Sequence, residues 1–135
     1  MQKNQVFRVT LAEMNEIKKE LVKDETLFIG EMDGENIQSW KEYIAVVSQL
    51  FHFPYEKHYA HAGYLDWMED LDWLNKEGYV FIIYQYSEFL QHDRENEKLY
   101  FLNDFINDIL PFWEEEVERV MVGGKAKRFS LYLVD

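Results

Sequence analysis

Tyr79-Val80-Phe81-Ile82-Ile83-Tyr84 is a run of six aliphatic or aromatic residues without a charge, opened by Gly78 and closed by Gln85. An alternating strand hides one face. A strand that is apolar on both faces belongs inside a parallel sheet covered by helices. Its length and its β-branched and aromatic content favour strand over buried helix. Helical patterns should therefore flank it, and they do. Upstream, Thr26 to Met32 (TLFIGEM) reads as a strand closed by the turn pair Asp33-Gly34. Ser39 then opens a helix over Trp40, Tyr43, Ile44, Val47, Leu50 and Phe51, which must end near Phe53 because Pro54 follows. Thr10, with Glu13 three residues later, is a capping box for a helix over Leu11, Met14, Ile17 and Leu21 up to Lys23. Downstream, Leu99, Leu102, Phe105, Ile106, Ile109, Trp113, Val117 and Val120 trace a long helix, and Pro111 predicts a kink or break near Leu110. Gly123-Gly124 ends that helix, and Phe129 to Val134 is the last strand. The pattern gives an α/β fold of one domain, residues 1–135, with a small, mostly parallel, three-stranded sheet packed with helices. Val6 to Val9 carries a weaker strand signal and falls within a helical extension, residues 1–25, ahead of a core at 26–135.

Of the 135 residues, 26 are Asp or Glu and 14 are Lys or Arg, for a net charge of -12. Clustered cations are what nucleic acids and anionic membranes attract, so neither is an expected partner. With no cysteine, disulfides, thiolate chemistry and Cys-based zinc sites are excluded. There is no signal-type apolar region at the start and no membrane-length run, so a cytoplasmic location is expected. The excess acid is localised. Glu56 to Glu77 carries six acids and two bases, Glu88 to Glu118 carries ten and two, and elsewhere the signs cancel. Localised acid suits a basic partner, and it equally suits solvated helix faces.

After Pro54 the pattern predicts a helix from Ala60 to Asn75. At about 100° per residue, Tyr64, Trp67, Met68, Leu71 and Leu74 share one arc. Asp66, Glu69, Asp70, Trp73 and Glu77 share the opposite one. An indole among carboxylates marks a binding face, or else caps the edge of the core.

The stretch FPYEKHYAHAGYLDWMEDLDWL, Phe53 to Leu74, resembles the central segment of the barstar-like family of intracellular bacterial ribonuclease inhibitors. Pro54, Asp66-Trp67-Met68 and Asp70-Leu71-Asp72-Trp73-Leu74 carry the resemblance, and the order of flanking elements agrees over about residues 26–135. The extra N-terminal helix is similar to that of a longer branch of the family. The resemblance implies a non-enzymatic inhibitor that blocks a cationic nuclease active site with an acidic helix and the loop before it, with Asp66 standing in for phosphate. Loop positions that are usually Tyr, Gly, Asn and Asp are here Glu56 or Lys57, His58, Ala60 and Ala62. The partner-binding set is then Glu56, Tyr59, Asp66, Glu69, Asp70, Trp73 and Glu77. The expected partner is a basic ribonuclease or related nuclease toxin bound by a monomer, without cofactor. The other reading is a non-inhibitory adaptor using Tyr55, Tyr59 and Trp73.

Other chemistry is poorly supported. His58, His61 and Asp66 have partial metal-ligand spacing without a further nearby His, so no metal site is expected. Ser39, Ser48, Ser87 and Ser130 lie in no nucleophile elbow, and Gly123-Gly124-Lys125 lacks the spacing of a phosphate loop. The run Glu114 to Glu116 with Glu118 reads as a solvated helix face.

Overall fold

A computed structural model describes residues 4–54, 61–92 and 96–135. Four strands, β1 (Gln5–Val9), β2 (Leu27–Asp33), β3 (Gly78–Tyr84) and β4 (Arg128–Val134), form one parallel sheet in the order β1-β4-β3-β2. Five helices are named here: α1 (Leu11–Leu21), α2 (Trp40–Leu50), α3 (His61–Met68), α4 (Glu97–Asp104) and α5 (Val117–Val120). The sheet thus has four strands, not the expected three. The additional strand comes from the segment read as an extension, and Gln5 to Val9 pairs in register with Ser130 to Val134. Asn4 secures it. Its Nδ2 donates to the carbonyls of Leu110 and Lys127 at 3.2 and 3.1 Å, and its Oδ1 accepts from the Phe129 amide at 3.0 Å.

Gly78 to Ile83 are buried throughout, as the reading of the central run requires. Alternation along β3 divides the interior. Tyr79, Phe81 and Ile83 point into the larger core, with Tyr43, Ile44, Phe51, Phe101, Phe105 and Phe129. Val80 and Ile82 point to the other face, where α1 covers them with Met14 and Leu21. The larger core is aromatic: Tyr43 alone meets Trp40, Tyr64, Phe89 and Phe101 at centroid distances of 5.2 to 5.7 Å. The Tyr43 and Tyr64 hydroxyls share a buried hydrogen bond of 2.7 Å, which gives each buried oxygen a partner.

The helix caps follow the sequence. Thr10 and Glu13 form the full capping box, and the Ser39 side chain accepts from the Glu42 amide. Pro111 does not break the long helix. α4 continues into a π-helical turn at Phe105–Ile109, and a second follows at Phe112–Glu116, leading into α5. The Leu110 amide bonds to the Phe105 carbonyl and that of Val117 to the Phe112 carbonyl, so wide turns on both sides absorb the donor that proline lacks. They also rotate the apolar stripe. Phe101, Phe105, Phe112, Trp113 and Val117 are buried, whereas Leu99, Ile106 and Val120 of the expected stripe are exposed.

Candidate partner-binding site

The helix carrying the acids is shorter than its periodicity predicts. α3 stops at Met68, because Leu71 takes a left-handed backbone (φ 54°) and Asn75 does so again (φ 54°). Such a conformation costs a non-glycine residue roughly 1–2 kcal/mol, and burial of the Leu71 side chain offsets it. Within the turn, Asp70 Oδ1 accepts from the Asp72 amide at 3.2 Å, a local bond that competes with helix continuation. Tyr64, Met68 and Leu71 are buried as the wheel predicts, and Trp67 and Leu74 pack partly buried against the same core.

Two indoles then cap two helix ends. Trp73 Nε1 donates to the Phe51 carbonyl at the end of α2 (2.8 Å), and its ring meets those of Trp67 and Phe53 edge-on at 5.5 and 6.2 Å. Trp73 is therefore packed at the edge of the core and is not an indole displayed among carboxylates, because the turn at Leu71 rotates it inward. Trp113 Nε1 donates to the Met68 carbonyl at the end of α3 (2.9 Å). Both bonds satisfy carbonyls that a helix end leaves without partners.

The Trp113 cap joins two acidic segments that are far apart in sequence. Glu69, half-buried, has its pKa pushed up to about 7, first by burial and then by the charges of Asp108, Glu116 and Asp66. Among the described residues, no Lys or Arg forms an ion pair with any of these four acids. Glu69 also lines a groove of about 360 Å³ with Asp70, Asp72 and Glu77, against Trp113 and Val117. Lys125 closes one side, bridging Glu77 at 3.0 Å, and Lys127 lies deeper with Nζ on the Lys76 carbonyl at 2.7 Å. Gly124 shapes the rim, since a Cβ there would collide with the Val117 carbonyl.

Of the residues expected to bind a partner, Glu69, Asp70 and Glu77 meet in this groove, and exposed Asp66 flanks Glu69. Trp73 points elsewhere. Glu56 and Tyr59 lie outside the described residues, as do Tyr55 and His58. Asp72, Asp108 and Glu116, outside the expected partner-binding set, join the site. Asp72 is adjacent in sequence and was legible as an acid, whereas the other two are brought in only by tertiary packing through Trp113. The acid of the long helix is thus, in part, continuous with the α3 surface and not wholly a separate solvated face.

Neither a protein-family model nor a curated protein matches this chain. Its fold is similar to part of the Aeropyrum pernix ORC2 protein, solved as ADPNP-ADP complexes, with a TM-score of 0.60 at 12% identity. The match covers 99% of this chain and 35% of that one, so this chain spans about a third of its length. At that identity the likeness bears on fold alone, and it agrees with an α/β layer built on a parallel sheet.

Proposed function

We propose that the chain is a protein-binding domain that docks a basic protein, a ribonuclease or related nuclease, on the surface formed by α3, the turn after it and the facing part of the long helix. It acts by occlusion, without catalysis. The observation that supports this most is the gathering of Asp66, Glu69, Asp108 and Glu116, with no Lys or Arg paired to them among the described residues, to the point that Glu69 is pushed up to about 7. Like charges held together oppose folding, and a cationic partner would relieve the repulsion while gaining charge-assisted hydrogen bonds. The groove opens at the amino ends of β3 and β4, away from the carboxyl-end crevice where open α/β sheets take small ligands. That position suits a protein partner. The resemblance of Phe53 to Leu74 to the barstar-like family suggests the class of partner, with Asp66 as the acid presented to its active site.

Of the three residues of the adaptor reading, Trp73 packs inward, and Tyr55 and Tyr59 lie outside the described residues. A nucleotide, as in the ORC2 complexes, finds no place between β1 and α1. Only Thr10 connects them, and Glu13 Oε1 accepts from the Thr10 amide at 2.9 Å, placing a carboxylate where a phosphate would need helix N-terminal donors. The test is a nuclease assay on basic ribonucleases from the source cell, with wild type and Asp66→Ala. Inhibition by wild type, lost in Asp66→Ala, is the expected result, and equal behaviour of the two sinks the reading.

A further inference from the structure

Val120, Met121 and Val122 follow one another at the end of the long helix with relative exposures of 65%, 48% and 108%. Among the described residues this is the one run of three exposed large apolar side chains. Such a run works against solubility and adds nothing to the core, so folding gives no reason for it. The backbone holds it in a fixed shape. The Met121 amide donates to the Val117 carbonyl at 3.1 Å and the Gly124 amide to the Met121 carbonyl at 2.9 Å, which makes Met121 to Gly124 a tight turn with Val122 at its apex. Gly123 has the left-handed backbone (φ 75°) that a type II turn places at its third residue. The chain beyond the turn is tied back to the helix. There the Lys127 amide donates to the Trp113 carbonyl at 2.9 Å, and the Ala126 amide to Glu118 Oε2 at 3.3 Å. The apex is thus shaped in advance, which lowers the ordering cost of any contact it makes.

The turn borders acid. Met121 and Val122 line the groove of about 360 Å³ together with Glu69, Asp70, Asp72 and Glu77. Two cations share that lining. Lys125 bridges Glu77 at 3.0 Å, and Lys127 turns inward, with Nζ on the Lys76 carbonyl and 5.9 Å from the centre of the Trp113 ring. Four carboxylates therefore stand against two ammonium groups, while Glu118 and Arg119 on the last helical turn add one charge of each sign. An apolar projection inside a charged rim has the anatomy of an interface centre, where a desolvated anchor is ringed by polar contacts. The charge selects the occupant. A bilayer would bring anionic headgroups against these carboxylates, and a second copy would set two acidic rims face to face. A basic protein meets neither penalty.

We propose, on the footing of the docking function above, that the Met121 to Gly124 turn is its apolar anchor: Met121 and Val122 enter an apolar pocket on the partner, and basic side chains bordering that pocket reach Glu69, Asp70 and Asp72. The partner is then a basic protein whose cationic surface has an apolar pocket beside it. Asp66 and the turn have separate tasks, the first in electrostatic encounter and the second in retention.

The test is binding of the full chain to the basic ribonucleases of the source cell, as wild type, Val122→Ser, Met121→Ser and Leu11→Ser, with methyl NMR of the complex. Val122→Ser should weaken affinity about tenfold through faster dissociation, because a fully exposed valine has its whole side chain to bury. Its association rate should stay near that of wild type, and the loss should persist at about 500 mM salt, where surface charge is screened. Met121→Ser should act in the same direction. Leu11→Ser, exposed at the other end of the sheet, should bind as wild type. The Met121 and Val122 methyl groups should show contacts to apolar protons of the partner. Val122 has no core contact to lose, so its variant keeps the fold. A ribonuclease that binds wild type and Val122→Ser equally overturns the anchor and leaves the docking function standing, whereas no binding of any basic ribonuclease by wild type overturns both. Self-association of the free chain, or its binding to phosphatidylcholine vesicles, that Val122→Ser abolishes would assign the turn to another occupant and overturn the proposal.

Discussion

The indole N–H of Trp113 donates to the carbonyl of Met68 at 2.9 Å, inside the protein and across 45 residues of sequence. This bond closes the end of α3 and fixes the long helix against it, and it is why Glu69 faces Asp108 and Glu116. Trp113→Phe keeps most of the ring contact with Tyr79 and Phe112 but leaves the Met68 carbonyl without its donor. The expected cost is about 1–3 kcal/mol in chemical denaturation. NMR titration of the Glu69 carboxyl should show its pKa moving down toward the ordinary range as the two segments loosen. A stability loss with Glu69 unmoved would mean that the cap does not hold the acids together.

Glu69 makes stability depend on pH with a definite sign. Its folded pKa of about 7 lies above the ordinary glutamate value of 4.5, so between those limits the folded state holds more protons than the unfolded chain. The contribution is therefore fully present below about pH 4.5 and is lost as pH rises through 7. Glu69→Gln, which mimics the protonated side chain, should match wild type near pH 5 and exceed it near pH 8. The difference should be on the order of 1 kcal/mol, well below the full conversion of the shift because solvent screens a half-exposed carboxylate. Urea midpoints at the two pH values decide this, and a gain at pH 5 equal to that at pH 8 would remove the electrostatic explanation.

Trp73 and Asp66 separate packing from recognition. Trp73→Phe removes the hydrogen bond to the Phe51 carbonyl and trims contacts with Trp67 and Phe53. It should lower stability by about 1–3 kcal/mol while leaving affinity for a basic partner nearly intact at temperatures where it is folded. Asp66→Ala, on an exposed position, should do the reverse. Calorimetric melting beside a binding isotherm for each variant makes the comparison, and a binding loss confined to Trp73→Phe would restore the adaptor reading.

Asn4 should be as important to the sheet as a core residue. Its side chain bonds three backbone groups from the long helix, the connection after it and β4, and its own amide donates to Glu114 Oε1 at 2.9 Å. Asn4→Ala leaves several of those groups unpaired and should cost about 2–4 kcal/mol. Hydrogen exchange should show faster loss of protection in β1 than in β3. Uniform behaviour of all four strands would mean that β1 is held by its ladder alone.

The central strand, the Thr10 and Ser39 caps and the acids of the α3 region were all legible locally, because each depends on neighbours within a few residues. Three features were not. Gln5 to Val9 is a short edge strand whose pairing with Ser130 to Val134 is a contact between opposite ends of the chain. Pro111 looks like a break, but π-helical turns on both sides widen the ladder around it, and sequence periodicity does not distinguish that from a kink. At Leu71 the burial of a leucine overrides its aversion to a left-handed backbone, which ends α3 early and turns Trp73 inward. The composition of the acidic site was thus readable, while its second wall, Asp108 and Glu116, depended on packing.

The most direct test of the central claim is the association rate with small basic ribonucleases, measured by stopped flow at low and high salt for wild type and Asp66→Ala. Electrostatic steering predicts a wild-type rate that falls roughly tenfold or more between about 20 and 500 mM salt, with Asp66→Ala slower at low salt and weaker at equilibrium. A complex whose formation is indifferent to salt and to Asp66, or no complex with any basic ribonuclease, would contradict the account.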